Sequence, residues 1–401
     1  MWTKKIKSVK ILFSIAIVIG CQFSYSQQNS AQILGKLIDS VSVNATESFA
    51  VYFPKKYNSI TSNSIVFIFD PSGNGKGGIV PFIKTAETYN HILVCSNSSK
   101  NGILKTNLDI ANRLFDYVLN TYKIDQNKMY LAGFSGGSRL ASTIALQTNA
   151  FYGVIACGAG INAVDKYILP SNKFRYAGFV GKKDMNYSEM LENKTWLDNN
   201  NFPNELYISD NTHIWPSEEE ILTAFDWFEI EKLTTDKEKN KTIIQEYKTK
   251  YLNLANKFIQ EGELEFGILE LERITQYFDK DEIIVNQLDS LKKSKTYKSH
   301  ITTKNKLLAS ESILTKQFEL LFTETLTSLK IDNLKWEKLY KSIHTLDKTK
   351  NSSETIFRIK YRNSARIYES GYEFRLLKQE NKYKVCQQLL EKITALNDRN
   401  N

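Results

Sequence analysis

The sequence KMYLAGFSGGSRLASTIA, residues 128–145, joins an apolar run to an amphipathic stretch through a serine that lies between glycines. Residues 129–132 have the character of a buried strand, and residues 139–146 have the apolar spacing of a helix. A serine at such a junction lies either in a tight turn or at the exposed position of a nucleophile. Glycines two residues to either side of Ser135 would let strand and helix approach closely around a strained backbone.

Short apolar runs alternate with amphipathic stretches over residues 33–231. Strands are predicted at residues 47–52, 64–69, 91–95, 129–132, 154–157 and 176–180, and helices at 79–88, 108–119, 139–146 and 218–228. Apolar strands that alternate with helices indicate a mostly parallel sheet that is buried on both faces. We therefore predict an α/β domain over residues 33–231.

The pattern changes after Phe228. Residues 232–242 are predicted to be a charged linker, and residues 243–401 an all-α domain with apolar positions three or four residues apart. Residues 262–278 and 382–397 each resemble the second helix of a tetratricopeptide unit, although a period of about 34 residues is not clear. A repeat-like domain and an ordinary helical bundle are both open interpretations.

The first residues have the organisation of an export signal. A basic leader precedes an apolar run that is too short to span a bilayer, which predicts a signal peptide over residues 1–26. Residues 18–21, VIGC, also resemble a bacterial lipoprotein box in which Cys21 would carry the lipid. We favour cleavage after Ser26. Either route exports the protein to the periplasm or out of the cell, and membrane attachment is expected only if Cys21 is lipidated.

Charge and cysteine content argue against several classes of protein. The 401 residues carry a formal net charge of +9, but basic residues alternate with acidic ones, as on a solvated helix surface. The cysteines form no paired motif, and Cys95 and Cys157 lie in apolar runs where small buried side chains are expected. We predict no nucleic-acid partner, no metal site and no cofactor.

Elimination leaves one histidine as a base for Ser135. A serine hydroxyl is a weak nucleophile until a base removes its proton, and histidine is the usual base near neutral pH. The chain has four histidines. His300 and His344 fall in the helical half, and His91 opens an upstream strand, which leaves His213 in a polar loop.

The base also needs a carboxylate that fixes its tautomer and stabilises its charged form. Asp184 follows the predicted strand at 176–180, and open α/β sheets keep their functional groups at that end of the strands. Asp210, three residues before His213, is the alternative. We favour Asp184, because a loop at a strand end is better placed to project across a cleft.

This order of residues, with the strand–G-x-S-x-G–helix junction, resembles the α/β-hydrolase superfamily over residues 35–231. Three segments are similar to those of secreted esterases of the dienelactone-hydrolase and polyhydroxybutyrate-depolymerase type: VYFPKKY at 51–57, GKKD at 181–184 and HIWP at 213–216. The resemblance implies that Ser135 is the nucleophile, Asp184 the orienting acid and His213 the general base. It does not extend into the helical half.

Backbone amides near Ser135 are expected to bind the oxyanion of the reaction. A helix that begins at the serine directs the N–H of Gly136 towards a developing negative charge. Members of the superfamily usually carry His-Gly after the third strand, whereas Ser72 takes the place of that histidine here. We therefore expect the second amide to come from Gly73 or Asn74.

Two further segments are candidates for contact with substrate. Ser96 and Asn97 follow the strand at 91–95, at the same edge of the predicted sheet. Polar loops in that position can bind substrate, although a solvated turn explains the pattern equally well. Trp215 lies close to His213 in the sequence and either forms a wall of the cleft or packs on the last helix of the α/β half.

Together these residues predict an exported serine hydrolase, namely a carboxylic-ester hydrolase that acts through an acyl-enzyme on a small ester or an ester-decorated polymer. A serine peptidase on the same fold is one alternative. The other is a non-catalytic binding or scaffold protein, with a degenerate hydrolase domain and a helical repeat that binds a protein partner. The complete Ser, Asp and His set favours the enzyme.

Overall fold

The computed structural model describes residues 34–170, 173–233, 237–346 and 352–398. The predicted signal peptide and Cys21 lie outside these residues. In the part of the chain that is described, no helix is long and apolar enough to cross a bilayer.

A single mixed sheet forms the centre of the first half. Its order in space is β1-β2-β4-β3-β5-β6-β7-β8, and β3 to β8 run parallel while β1 and β2 pair antiparallel. The strands are β1 (Leu37–Ser42), β2 (Ser48–Tyr52), β3 (Asn63–Phe69), β4 (His91–Ser96), β5 (Ile124–Phe134), β6 (Gly153–Cys157), β7 (Arg175–Gly181) and β8 (Asn204–Ser209).

Helices cover both faces of this sheet. They are α1 (Gly75–Ile79), α2 (Ile83–Tyr89), α3 (Leu104–Thr121), α4 (Gly136–Gln147), α5 (Tyr187–Asn199) and α6 (Glu218–Leu233). Successive residues of β3 enter opposite cores: Phe67 packs in one cluster with Leu114 of α3, and Val66 in the other with Phe225 of α6. Both faces are therefore apolar, which explains why the central strands read as continuous apolar runs.

The six strands predicted from the sequence are all present, and Cys95 and Cys157 are fully buried as predicted. The sequence pattern does not predict β1 and β8. These two strands form the edges of the sheet, and polar residues interrupt their sequences LIDSVS and NELYIS, since an edge strand does not need two apolar faces. The helix predicted at 79–88 is broken by a 3-10 turn at Val80–Phe82 that contains Pro81.

The second half is all-helical in the described residues. Its helices are α7 (Lys237–Gln260), α8 (Leu264–Tyr277), α9 (Glu282–Lys293), α10 (Lys295–Ser328), α11 (Asn333–His344), α12 (Ser352–Leu376) and α13 (Glu380–Asp398). Two apolar clusters hold them together, one centred on Leu271 and the other on Trp336. The described residues of the predicted linker at 232–242 belong to α6 and α7, so this segment is helical there. The division into two domains at this segment stays a prediction.

These observations confirm the predicted α/β fold class: a sheet that is mostly parallel and covered on both faces, followed by an all-α C-terminal part. The helices of that part range from 12 to 34 residues in length. A repeat-like organisation stays a prediction.

Candidate active site

Ser135 lies at the turn between β5 and α4, within residues 133–137, which we call the nucleophile turn. Its backbone has φ 51° and ψ −119°, a conformation that residues other than glycine rarely adopt. A Cβ atom on Gly133 would lie 2.2 Å from the carbonyl oxygen of Gly137, and one on Gly137 would lie 2.0 Å from that of Phe69. Both glycines are therefore required for β3, β5 and α4 to approach so closely.

The nucleophile turn is fixed by backbone contacts with neighbouring elements. The amide of Ser135 donates to the carbonyl oxygen of Cys157 at the end of β6, at 2.8 Å. Gly136 is the first residue of α4, so its N–H lies among the unpaired amides at the positive end of the helix. The Ser135 side chain is half-buried and lies at the carboxyl ends of the parallel strands.

His213 lies in the loop between β8 and α6, and its Nε2 is 2.9 Å from Ser135 Oγ. Only 9% of the imidazole is exposed. The Phe134 ring contacts it, with the two centroids 4.6 Å apart. A Cβ atom on Gly158, whose φ is 68°, would lie 3.1 Å from His213 Cε1. The imidazole is thus held in a cavity that only a glycine at position 158 leaves open.

Asp184 lies in the turn after β7, residues 182–185, which we call the acid turn. Both of its carboxylate oxygens lie 2.9 Å from Nδ1 of His213, and its side chain is 1% exposed. Oδ1 also accepts the amide N–H of Asn186 at 2.8 Å. The alternative carboxylate, Asp210, is 73% exposed and lies beside Lys182 and not beside the imidazole.

The structure thus brings the hydroxyl, the imidazole and the carboxylate of the predicted set into one chain of hydrogen bonds. An ionised carboxylate only accepts, so Nδ1 of His213 carries a hydrogen and Nε2 presents its lone pair to the Ser135 hydroxyl. In this tautomer the imidazole can take the proton of Ser135, and Asp184 stabilises the positive charge that results.

The amides predicted to bind the oxyanion differ in whether they are available as donors. Gly136 lies beside Ser135. The amides of Gly73 and Asn74 are already used within their own loop, because they donate to the carbonyl oxygen and to the carboxylate of Asp70, at 3.1 and 3.3 Å. In this conformation they are not free donors, and the prediction for these two residues is not supported.

Asp70 organises the loop after β3 and accounts for this difference. Its Oδ1 also accepts the amide and the hydroxyl of Ser72, at 2.9 and 2.5 Å. Its Oδ2 accepts the indole N–H of Trp215 at 3.1 Å. The Trp215 ring lies 5.3 Å from that of Phe134, so it lies at the side of the imidazole and ties the histidine loop to the loop after β3.

Ser96 and Asn97, which the sequence offered as substrate contacts, support the fold. The Ser96 hydroxyl is 1% exposed and accepts the amides of Ser98 and Ser99. The Asn97 side chain accepts the amide of Gly75 and donates to the carbonyl oxygen of Asp39. Both side chains are occupied by structural hydrogen bonds. Ser96 is buried at the end of β4, so it does not belong to a solvated turn either.

A cavity of about 460 Å³ lies beside the nucleophile turn, between the start of α4 and the loops after β3, β4 and β6. Gly136, Asn101, Leu104 and Val164 are among the residues that line it. Arg139 also borders it and pairs with Glu189 through two hydrogen bonds of 2.6 and 2.8 Å. Burial raises the pKa of Glu189, but the contact with Arg139 outweighs this and lowers it overall, so the pair is ionised.

Several residues of the site were not predicted from the sequence. Gly158 and Asn186 follow strand ends, and that position is the one signal that could have identified them. The C-terminal helix α12 also reaches the site: the Tyr361 ring lies 6.5 Å from the imidazole of His213. No local pattern in the sequence indicates that contact.

No family model and no curated protein matches the chain. Among solved structures, the chain is similar to the fluorophosphonate-binding serine hydrolase FphF of Staphylococcus aureus, with 15% identity and a TM-score of 0.41 over 48% of this chain and 98% of that one. It is similar to a ferulic acid esterase, with 16% identity and a TM-score of 0.38 over 47% and 95%. It is also similar to Est1E from Butyrivibrio proteoclasticus, with 10% identity and a TM-score of 0.40 over 49% and 100%.

Proposed function

We propose that this protein is an exported serine hydrolase that cleaves carboxylic esters, an esterase of the dienelactone-hydrolase and polyhydroxybutyrate-depolymerase type. The observation that carries the proposal is the hydrogen-bonded chain from Ser135 Oγ through His213 to Asp184, with each contact at 2.9 Å. The strained backbone at Ser135 supports it, since strain of this kind persists where function requires it.

Acylation begins when Ser135 Oγ attacks the ester carbonyl carbon and Nε2 of His213 takes the hydroxyl proton. The carbonyl oxygen becomes negatively charged in the tetrahedral intermediate. The amide of Gly136, at the positive end of α4, is placed to donate to it. The intermediate collapses as the C–O bond to the alcohol breaks, and His213 gives its proton to the departing alcohol.

Deacylation repeats these steps with water as the nucleophile. His213 removes a proton from water, the hydroxide attacks the acyl carbon, and the bond to Ser135 Oγ breaks as the serine recovers its proton. Asp184 keeps the imidazole in one orientation through both halves of the cycle. The products are the carboxylic acid and the free enzyme.

The surroundings of Ser135 support the proposed substrate class. The cavity of about 460 Å³ beside Gly136 is bordered by both polar and apolar side chains, including Asn101 and Leu104. It is large enough for the acyl or alcohol part of a small ester, and its open side would admit an ester carried by a polymer. The export signal predicted at the N-terminus supports a reaction outside the cytoplasm.

Replacing the nucleophile tests the proposal. We expect Ser135→Ala to lower kcat for p-nitrophenyl acetate on the order of 10⁴-fold or more, while the thermal unfolding midpoint changes little. Ser138→Ala is the matched control, because Ser138 lies three residues later and its buried hydroxyl donates to Ala159 O at 2.6 Å. That control should lose stability and keep turnover. Wild-type turnover by Ser135→Ala would overturn the proposal, and a parallel assay on aminoacyl amides separates an esterase from a peptidase.

A further inference from the structure

The acid turn is held from two sides. On the side of the sheet, the amide of Lys182 donates to Ser209 O at 2.8 Å and that of Lys183 donates to Asn211 O at 3.1 Å. On the other side, the carbonyl oxygens of Lys182 and Met185 face the C-terminal helix α12. These two carbonyls flank Asp184 in the sequence.

Two arginines of α12 bind these carbonyls. Arg358 Nη1 donates to Lys182 O at 2.7 Å, and Arg362 Nη2 donates to Met185 O in a short hydrogen bond. The two arginines lie one helical turn apart, so their guanidinium groups reach the same side of α12. A single helix, α12, therefore binds the acid turn on both sides of Asp184.

The arginines are themselves fixed. Arg358 is 4% exposed and makes a double hydrogen bond with Glu311 of α10, which is 1% exposed. Its guanidinium also lies over the ring of Tyr187, 4.7 Å from the centroid. Arg362 is 22% exposed and bonds Thr315 of α10 at 3.3 Å. Because these partners restrict the side chains, the helices present donors in a defined position.

We propose that Arg358 and Arg362 are positioning residues, which hold the acid turn so that Asp184 stays aligned with His213. The C-terminal helices then complete the active site of the hydrolase and are not a separate binding module. This inference rests on the proposed function. Its physical basis is that a displacement of about 1 Å in a reacting group can lower a rate about 10²-fold.

Arg362 is the residue to change first. Removal of Arg358 would leave the carboxylate of Glu311 buried without its main partner, and the protein could fail to fold. Arg362→Gln removes the bond to Met185 O, together with the bond to Thr315 and a 3.9 Å ion pair with Glu311. It keeps Arg358, the closer partner of Glu311. The matched control is Arg366→Gln, one turn further along α12, because Arg366 pairs with Glu319 at 3.5 Å and does not contact the acid turn.

We expect Arg362→Gln to lower kcat for p-nitrophenyl acetate by roughly 10- to 100-fold and to leave KM within about threefold. Arg366→Gln should leave both constants within about twofold of the wild type. Arg362→Lys keeps the charge and a donor and should recover most of the lost kcat. Equal turnover in Arg362→Gln and Arg366→Gln would overturn the inference.

A double-mutant cycle separates positioning from general stabilisation. If Arg362 acts through Asp184, Arg362→Gln should change the rate by less than about twofold in a chain that already carries Asp184→Asn. Rates too low for the ester assay are followed as the rate of labelling of Ser135 by a fluorophosphonate. Equal fold losses in both backgrounds would show a merely structural role and overturn the inference. If Arg362→Gln does not fold, Arg362→Met takes its place in the same cycle, because methionine keeps part of the apolar stem of arginine and removes the donor to Met185 O.

The outcome is distinguishable from failure of the proposed function. If Ser135→Ala abolishes hydrolysis while Arg362→Gln keeps wild-type turnover, only the positioning role is overturned. If Ser135→Ala hydrolyses the ester as the wild type does, the proposed function itself fails.

Discussion

The nucleophile turn and the acid turn lie at the same edge of the sheet but are fixed by different means. The nucleophile turn is fixed by backbone contacts among neighbouring strands: glycines at 133 and 137 and the bond from Ser135 N to Cys157 O. The acid turn depends in addition on side chains from a helix; Arg358 lies 176 residues beyond the carbonyl that it binds.

This difference shows how one active site combines two sources of rigidity. Local backbone geometry can hold a nucleophile in a strained conformation because the contacts are made by backbone atoms, which cannot rotate away. A carboxylate on a loop needs external support, and here two ordered arginines provide it. Changes in the α/β half should therefore damage the first turn, and changes in α10 and α12 the second.

Among changes to the support of the two turns, the largest effect is expected from a methyl group where β3 and α4 approach closely. In Gly137→Ala the new Cβ would lie 2.0 Å from Phe69 O, which is backbone and cannot rotate away. We expect the free energy of unfolding to fall by about 1–3 kcal/mol and turnover to fall about 10²-fold. Denaturant titration and ester assays measure the two effects.

Gly102→Ala is the matched control, because the nearest atom to its new Cβ would be Lys100 O at 3.8 Å, an ordinary contact. It should leave stability and turnover close to the wild type. If Gly137→Ala proves as mild as Gly102→Ala, the nucleophile turn is not fixed by its backbone, and the contrast between the two turns disappears.

A further prediction concerns pH dependence and compares a buried group of the sheet with a group near the acid turn. Burial, with a smaller contribution from nearby Lys232 and Lys128, lowers the pKa of His91 in β4 from 6.5 to about 3. As pH falls, this histidine is therefore protonated in the unfolded chain before it is protonated in the folded chain. The stabilisation of the fold by neutral His91 is lost as pH falls from 6.5 towards 3.

Glu265 of α8, near the acid turn, responds at lower pH. Burial raises the pKa of its carboxyl, but the hydrogen bonds and charges of His300 and Lys304 outweigh this and hold the pKa at about 2, below the usual 4.5. A depressed carboxyl pKa stabilises the fold above pH 4.5, and this stabilisation is lost as pH falls from 4.5 towards 2.

Unfolding titrations across this pH range test the assignment. Each group should contribute a slope of about 1.4 kcal/mol per pH unit within its own window. His91→Gln should flatten the decline between pH 6.5 and 4.5. Glu265→Gln should flatten only the part below pH 4.5. Identical dependence of the unfolding free energy on pH in the two variants would contradict the assignment of a separate pH window to each group.

Local signals explain what the sequence could predict. The strand–turn–helix unit at Ser135 is encoded in five consecutive residues, and its nearest contacts are glycines that leave a visible pattern. His213 follows from elimination among four histidines. Asp184 follows from its position at a strand end, and the structure places it, and not Asp210, beside the imidazole.

Side-chain hydrogen bonds explain what the sequence could not predict. Nothing in the loop after β3 shows that Asp70 would occupy the amides of Gly73 and Asn74. Nothing before α12 shows that Arg358 and Arg362 reach a turn in the other half of the chain, because the contact depends on how the helices dock. A contact between distant parts of the chain leaves no periodic pattern in the sequence.

The most direct measurement of the central claim is covalent labelling of the full chain by a fluorophosphonate, followed by peptide mass spectrometry. The account predicts one adduct, on Ser135, and a labelling rate that falls at least roughly 10²-fold in His213→Ala because the base is missing. A folded chain that stays unlabelled, or a His213→Ala variant that labels as fast as the wild type, would contradict it.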